Sequence, residues 1–148
     1  MLYGLMIICV SPFIAHYADR LKSRLPLVLS GGTLGAVAIA ELACVPSLTG
    51  VLISISLLGV AHAISVPSQL TFITETNQAL CQRLGLTQVV SIFRLMERVG
   101  NILGPIIAGL FIAIFEIPQA FFWLAALVAA STLTLGVWIF LAKDRGVA

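Results

Sequence analysis

The residues able to do chemistry in this chain are few, and they gather at the ends of long apolar runs. Asp19, Arg20, Lys22 and Arg24 stand within six positions of one another, Glu75 and Arg83 flank a second polar stretch, and Arg94, Glu97 and Arg98 follow within two helical turns. Such side chains make ion pairs and caps where they reach water or a facing helix end. A different chemistry is offered by His62, Ser65 and Gln69, which fall at i, i+3 and i+7 and so share one face of a helix. In an apolar helix that stripe faces either a solute-lining cavity or a neighbouring helix through ordinary hydrogen bonds. The spacing admits both.

The other candidates are read more plainly. His16 could handle a proton, histidine being the side-chain type suited to that near neutral pH, but its place at a helix end makes it an interfacial residue. Glu41 lies near the outer end of its helix and is expected to snorkel to water. Cys9, Cys44 and Cys81 are isolated in or beside apolar runs, so they read as small buried hydrophobes rather than as a disulfide or metal framework. Asp19 is the sole aspartate outside the tail and the two histidines sit on different helices. An enzyme would need clustered acids, a metal set or a nucleophile with its base. Neither an enzyme nor a cofactor or metal site is expected.

Composition decides what must position these residues. Of 148 residues, 60% are hydrophobic and 9% charged, and the mean hydropathy is +1.13. A soluble domain carries about 25% charge. The chain is therefore expected to be all-α, a polytopic bundle of about five transmembrane helices, with the lipid bilayer as its first partner. A net charge of +2, with no basic patch interleaved with aromatics, gives no reason to expect nucleic acid.

The expected helices cover about 1–17, 26–45, 51–74, 88–115 and 119–142, forming a single transmembrane domain. The first is short for a span and carries Ser11, Pro12 and His16. The second places Gly31, Gly32, Gly35, Ala36 and Ala40 along a close-packing seam. The third is interrupted near Pro67, and 75–87 forms a loop. The fourth carries Gly100, Gly104, Pro105 and Gly109; in water the proline would break a helix and the glycines weaken it, but all are tolerated in lipid. The fifth is uncharged along its length, with Trp123 and Trp138 near its ends, and is expected to be the most lipid-exposed. Lys and Arg outside the helices all fall in the first and third connections and the tail. By the positive-inside rule the N-terminus lies outside and the C-terminus in the cytoplasm.

Three features resemble the major facilitator superfamily of secondary transporters. Ala15-x-x-x-Asp19-Arg20-x-Lys22-x-Arg24 is similar to that family's cytoplasmic loop signature, with Ala15 and Lys22 where the family has glycines. Gly100-x-x-x-Gly104-Pro105-x-x-x-Gly109 resembles its Gly-Pro-rich helix motif, known from antiporters. Glu75 closing one helix, with Arg83 soon after, resembles the acidic partner of the loop signature. The order and orientation of the helices are similar to the eighth to twelfth of that fold, and by internal repeat to the second to sixth.

The resemblance implies a C-terminal portion of a permease in the cytoplasmic membrane. It implies small-molecule transport by alternating access, with proton coupling suggested by likeness alone. It also implies a missing N-terminal half, or another copy, as partner. Asp19, Arg20, Arg24, Glu75, Arg83, Arg94 and Arg98 would form a cytoplasmic gate; Gly100, Gly104, Pro105 and Gly109 a packing hinge; and His62, Ser65 and Gln69 the substrate lining. Because that lining is uncharged apart from His62, a strongly charged substrate is disfavoured. The alternative is a non-transporting membrane sensor or assembly module that keeps the fold.

Overall fold

The computed structural model describes residues 1–18, 24–76 and 78–144. Among them are six α-helices and no strand: α1 Leu2–Ala18, α2 Leu25–Cys44, α3 Leu48–Thr76, α4 Gln78–Leu84, α5 Leu86–Ile114 and α6 Ile117–Asp144. Leu25–Cys44, Leu48–Thr76, Leu86–Ile114 and Ile117–Leu141 are each long and apolar enough to cross a membrane, while α1, at 17 residues, is an apolar helix of shorter length.

The ends of these helices follow from local chemistry. Pro26 sits in the first turn of α2, where its missing N–H is no loss. Ser47 caps α3, its Oγ accepting from the Gly50 N–H at 3.1 Å. Any side chain at Gly50 would run into the Val45 carbonyl, so that turn requires glycine. Gly85, at φ 86°, adopts the left-handed backbone that closes α4 and lets α5 start one residue later.

The segment expected as a loop over 75–87 thus contains the seven-residue helix α4. Nor is α3 interrupted, since it runs as one helix through Pro67.

Packing is inside-out relative to a water-soluble protein. The buried residues are mostly small: Ala36, Ala38, Ala61, Ala63, Ala120, Ala125, Ser54 and Ser68. Large side chains such as Phe13, Ile102, Phe122 and Trp138 point outward. In water that surface would drive aggregation. In lipid, where tails are as apolar as leucine, small residues are what lets helices approach.

The centre of the bundle is α2, flanked by α3 and α6, with α1 packed against α3. A Cβ on Gly31 would meet Ser65 and Ala61, whereas one on Gly32 would meet Thr132. One face of α2 therefore packs on α3 and the next on α6, both antiparallel. Ser54, 2% exposed, adds a 2.7 Å hydrogen bond to the Ala38 carbonyl across α2 and α3. Gly59 takes the Tyr3 and Met6 end of α1, so α1 runs parallel to α3.

The stretch 119–142, uncharged and now part of α6, was expected to be the most lipid-exposed element, but it packs along α2 through Thr132 and Gly136. Among the described residues α5 is the most exposed of the long helices, with only Val89 buried.

Candidate functional site

His62, Ser65 and Gln69 do come together. They line a cleft of about 350 Å³ between α1, α2 and α3, with Tyr3, Gly31 and Gly35 completing its walls and Leu58, Ala61 and Val66 its apolar lining. Gln69 Nε2 donates to Ser65 Oγ at 2.7 Å. The His62 and Tyr3 rings meet edge to face, 5.7 Å apart and inclined at 65°, an arrangement that aromatic quadrupoles favour. Gly31 opens the floor, because the backbone of α2 can lie against Ser65 only where no side chain intervenes. No Asp, Glu, Lys or Arg is among the lining residues.

The spacing of α3 revealed three of these residues. Tyr3 was missed, since nothing in α1 alone tells which ring will meet His62. Gly31 and Gly35 were read only as a packing seam, and they are also cleft walls.

A second cavity, about 230 Å³, opens where the C-terminal half of α1 meets that of α3, and it takes in Arg24. Its hydroxyls are internally engaged. Ser11 Oγ donates to the Ile7 carbonyl at 2.6 Å, Ser68 Oγ to Ile64 at 2.7 Å and Thr71 Oγ1 to Pro67 at 3.1 Å. Arg24 therefore lies at the end of α3 from which α4 departs, the end that also carries Glu75 and Arg83.

Of the gate candidates, Asp19 and Arg20 lie outside the described residues, as do Lys22 and Arg145. Glu75 and Arg83 are both exposed, and the ion pair found among the described residues joins Arg94 Nη1 to Glu97 Oε2 at 2.7 Å within α5. Arg98, one turn beyond Arg94, is exposed. From Val99 to Ile114 α5 is free of charge and about 24 Å long at 1.5 Å per residue, so Arg98 lies where its stem can carry the guanidinium to water.

Gly100, Gly104 and Gly109 face open space, with no atom within 4 Å of a Cβ built on any of them. α5 is helical through Pro105.

Glu41 departs from the expected snorkelling. Its side chain is half-buried, and Oε2 is buried with no hydrogen-bond partner among the described residues. His16 is exposed in the last turn of α1. Cys9 and Cys44 are exposed and Cys81 is half-buried, all with free thiols. Two of the three therefore differ from the buried packing expected of them. No group of three His, Cys, Asp or Glu able to hold a metal occurs among the described residues.

A bundle whose interior is built from alanine, serine and glycine, and whose long helices turn their bulk outward, is an integral membrane protein. Residues 1–147 match the model of the Major Facilitator Superfamily, and the chain belongs to that superfamily of membrane transporters. No curated protein and no solved structure matches it.

Proposed function

We propose that this chain forms the C-terminal portion of a secondary active permease, corresponding to helices eight to twelve. In this reading it moves a small molecule across the cytoplasmic membrane by alternating access, coupled to protons. The observation that carries the reading is the convergence of His62, Ser65 and Gln69 on one cleft in a chain of this superfamily. Alternating access rocks two repeats about a central site, so a complementary set of helices, from an N-terminal half or a second copy, completes the machine.

The roles then divide by position. The cleft residues contact the solute. Asp19, Arg20, Arg24, Glu75, Arg83, Arg94 and Arg98 form a cytoplasmic latch, with the N-terminus outside and the C-terminus inside. Gly100, Gly104, Pro105 and Gly109 form the face on which α5 seals against the complementary half. Their open surroundings support that reading, because the chain's own helices leave the face unused.

The test is solute flux by the complete locus product in vesicles, with and without a proton gradient, for the native protein and for His62→Ala and Gln69→Ala. Gradient-driven flux that both substitutions impair upholds the proposal. Correct membrane insertion without flux of any solute would transfer the chain to the non-transporting module.

A further inference from the structure

The hydroxyls of α3 are mostly engaged within the helix. Ser56, Ser68, Thr71 and Thr74 each donate to a carbonyl of their own helix, and Ser54 donates across to Ala38. Ser65 differs. Its Oγ accepts from Gln69 Nε2, and among the described residues its own proton goes to no acceptor. Gln69 in turn keeps Oε1 and its second N–H. One wall of the cleft thus presents a donor beside an acceptor. Beside that pair, further toward the start of α3, the Tyr3 and His62 rings meet and Leu58 and Val66 add apolar lining.

We propose that this cleft selects an uncharged planar solute, an aromatic ring bearing a carboxamide-type edge with one donor next to one acceptor. This deepens the reading of the cleft as substrate lining, and rests on it for the link to transport. Three features of the walls define the class. The lining holds no Asp, Glu, Lys or Arg, and an ion taken into an apolar site without a counter-charge loses several kcal/mol of hydration. Ser65 and Gln69, one turn apart and already joined, set one donor beside one acceptor, the pattern an amide edge matches. The ring wall and a volume of about 350 Å³ suit one or two flat rings.

The test is equilibrium binding of tritiated benzamide to the purified full chain in lipid nanodiscs. Unlabelled benzamide, isosteric benzoate and inositol serve as competitors. Benzamide should compete at least about tenfold better than the other two. Ser65→Ala and Gln69→Leu should each weaken benzamide binding about three- to tenfold, the range expected for one lost hydrogen bond. The Ser65→Ala protein should keep its thermal midpoint, because the Cβ that abuts Gly31 is retained. Absence of benzamide binding up to about 1 mM, equal competition by benzoate, or indifference to both substitutions would overturn the inference.

Vesicle flux separates this outcome from the transport reading. Selective, Gln69-dependent binding with no flux keeps the selectivity and removes the permease. Gln69-dependent flux of a charged or polyol solute does the reverse.

Discussion

Gly31 lies so close to Ser65 that a methyl group on the glycine would stand 2.7 Å from the serine Cβ and 3.0 Å from the Ala61 carbonyl oxygen. One missing side chain therefore sets the distance between α2 and α3, and with it the floor of the cleft. Gly31→Ala should cost about 1–3 kcal/mol through overpacking against backbone and Cβ atoms that cannot rotate away. Gly35→Ala, whose new methyl would meet Ala61 Cβ at 3.9 Å, should be neutral or gain up to about 1 kcal/mol from helix propensity. Denaturation in mixed micelles compares the two. Equal losses would show that the Gly31 contact does not set the spacing.

The next position tests the other face of α2. A Cβ on Gly32 would approach Thr132 Oγ1 to 2.6 Å and Cγ2 to 2.8 Å. Thr132 is held in that rotamer by a 2.9 Å hydrogen bond to the Val128 carbonyl. Gly32→Ala should therefore destabilise the chain, and adding Thr132→Ala should restore much of the loss, with a coupling of about 0.5–3 kcal/mol. A double-mutant cycle on the unfolding free energy reads it. Strict additivity would mean that α2 and α6 yield instead of clashing.

How far these relationships could be read in advance differs from element to element. The long helices announce themselves, because runs of 20 or more apolar residues have few other fates. α4 does not, since seven residues are too few for a periodic signal and the segment had only its charges and Gly85 to mark it. Pro67 suggested a break that lipid-type packing does not demand. Absence of charge over 119–142 was taken as a sign of lipid exposure. The informative feature was the four-residue spacing of Thr132 and Gly136, the same small-residue logic already visible in α2. Within the cleft, residues of one helix were legible from spacing. Tyr3 was not, because its place depends on which helix α1 joins.

Gly104 offers a test in which fold and function part. No atom lies within 4 Å of a Cβ built there, so Gly104→Ala should leave the chain as stable as before or raise its stability by up to about 1 kcal/mol. Gly104→Leu should also fold, yet it should uncouple or leak in the complete transporter, where the proposed seal would meet a branched side chain. The checks are unfolding of the single chain and solute leak in vesicles. Unfolding of the chain by leucine would mean that the face is already occupied from within, and tight, native-rate transport by the leucine variant would remove the seal.

The proposed latch makes the opposite demand, a change in rate with none in stability. Glu75 and Arg83 are exposed at the end of α3 and on α4, and ion pairs in such places contribute only about 0–1 kcal/mol. A cluster so weak cannot hold the fold, but it can bias two conformations that differ by a similar amount. Asp19→Asn and Glu75→Gln should therefore each lower the maximal transport rate in the complete protein. Half-saturation should stay within about twofold, because the proposed solute cleft lies further up α3 and Glu75 is not among its lining residues. Thermal midpoints should not move. Initial-rate kinetics in vesicles measure both parameters, and native turnover in the two variants would leave the loop signature without a role in the cycle.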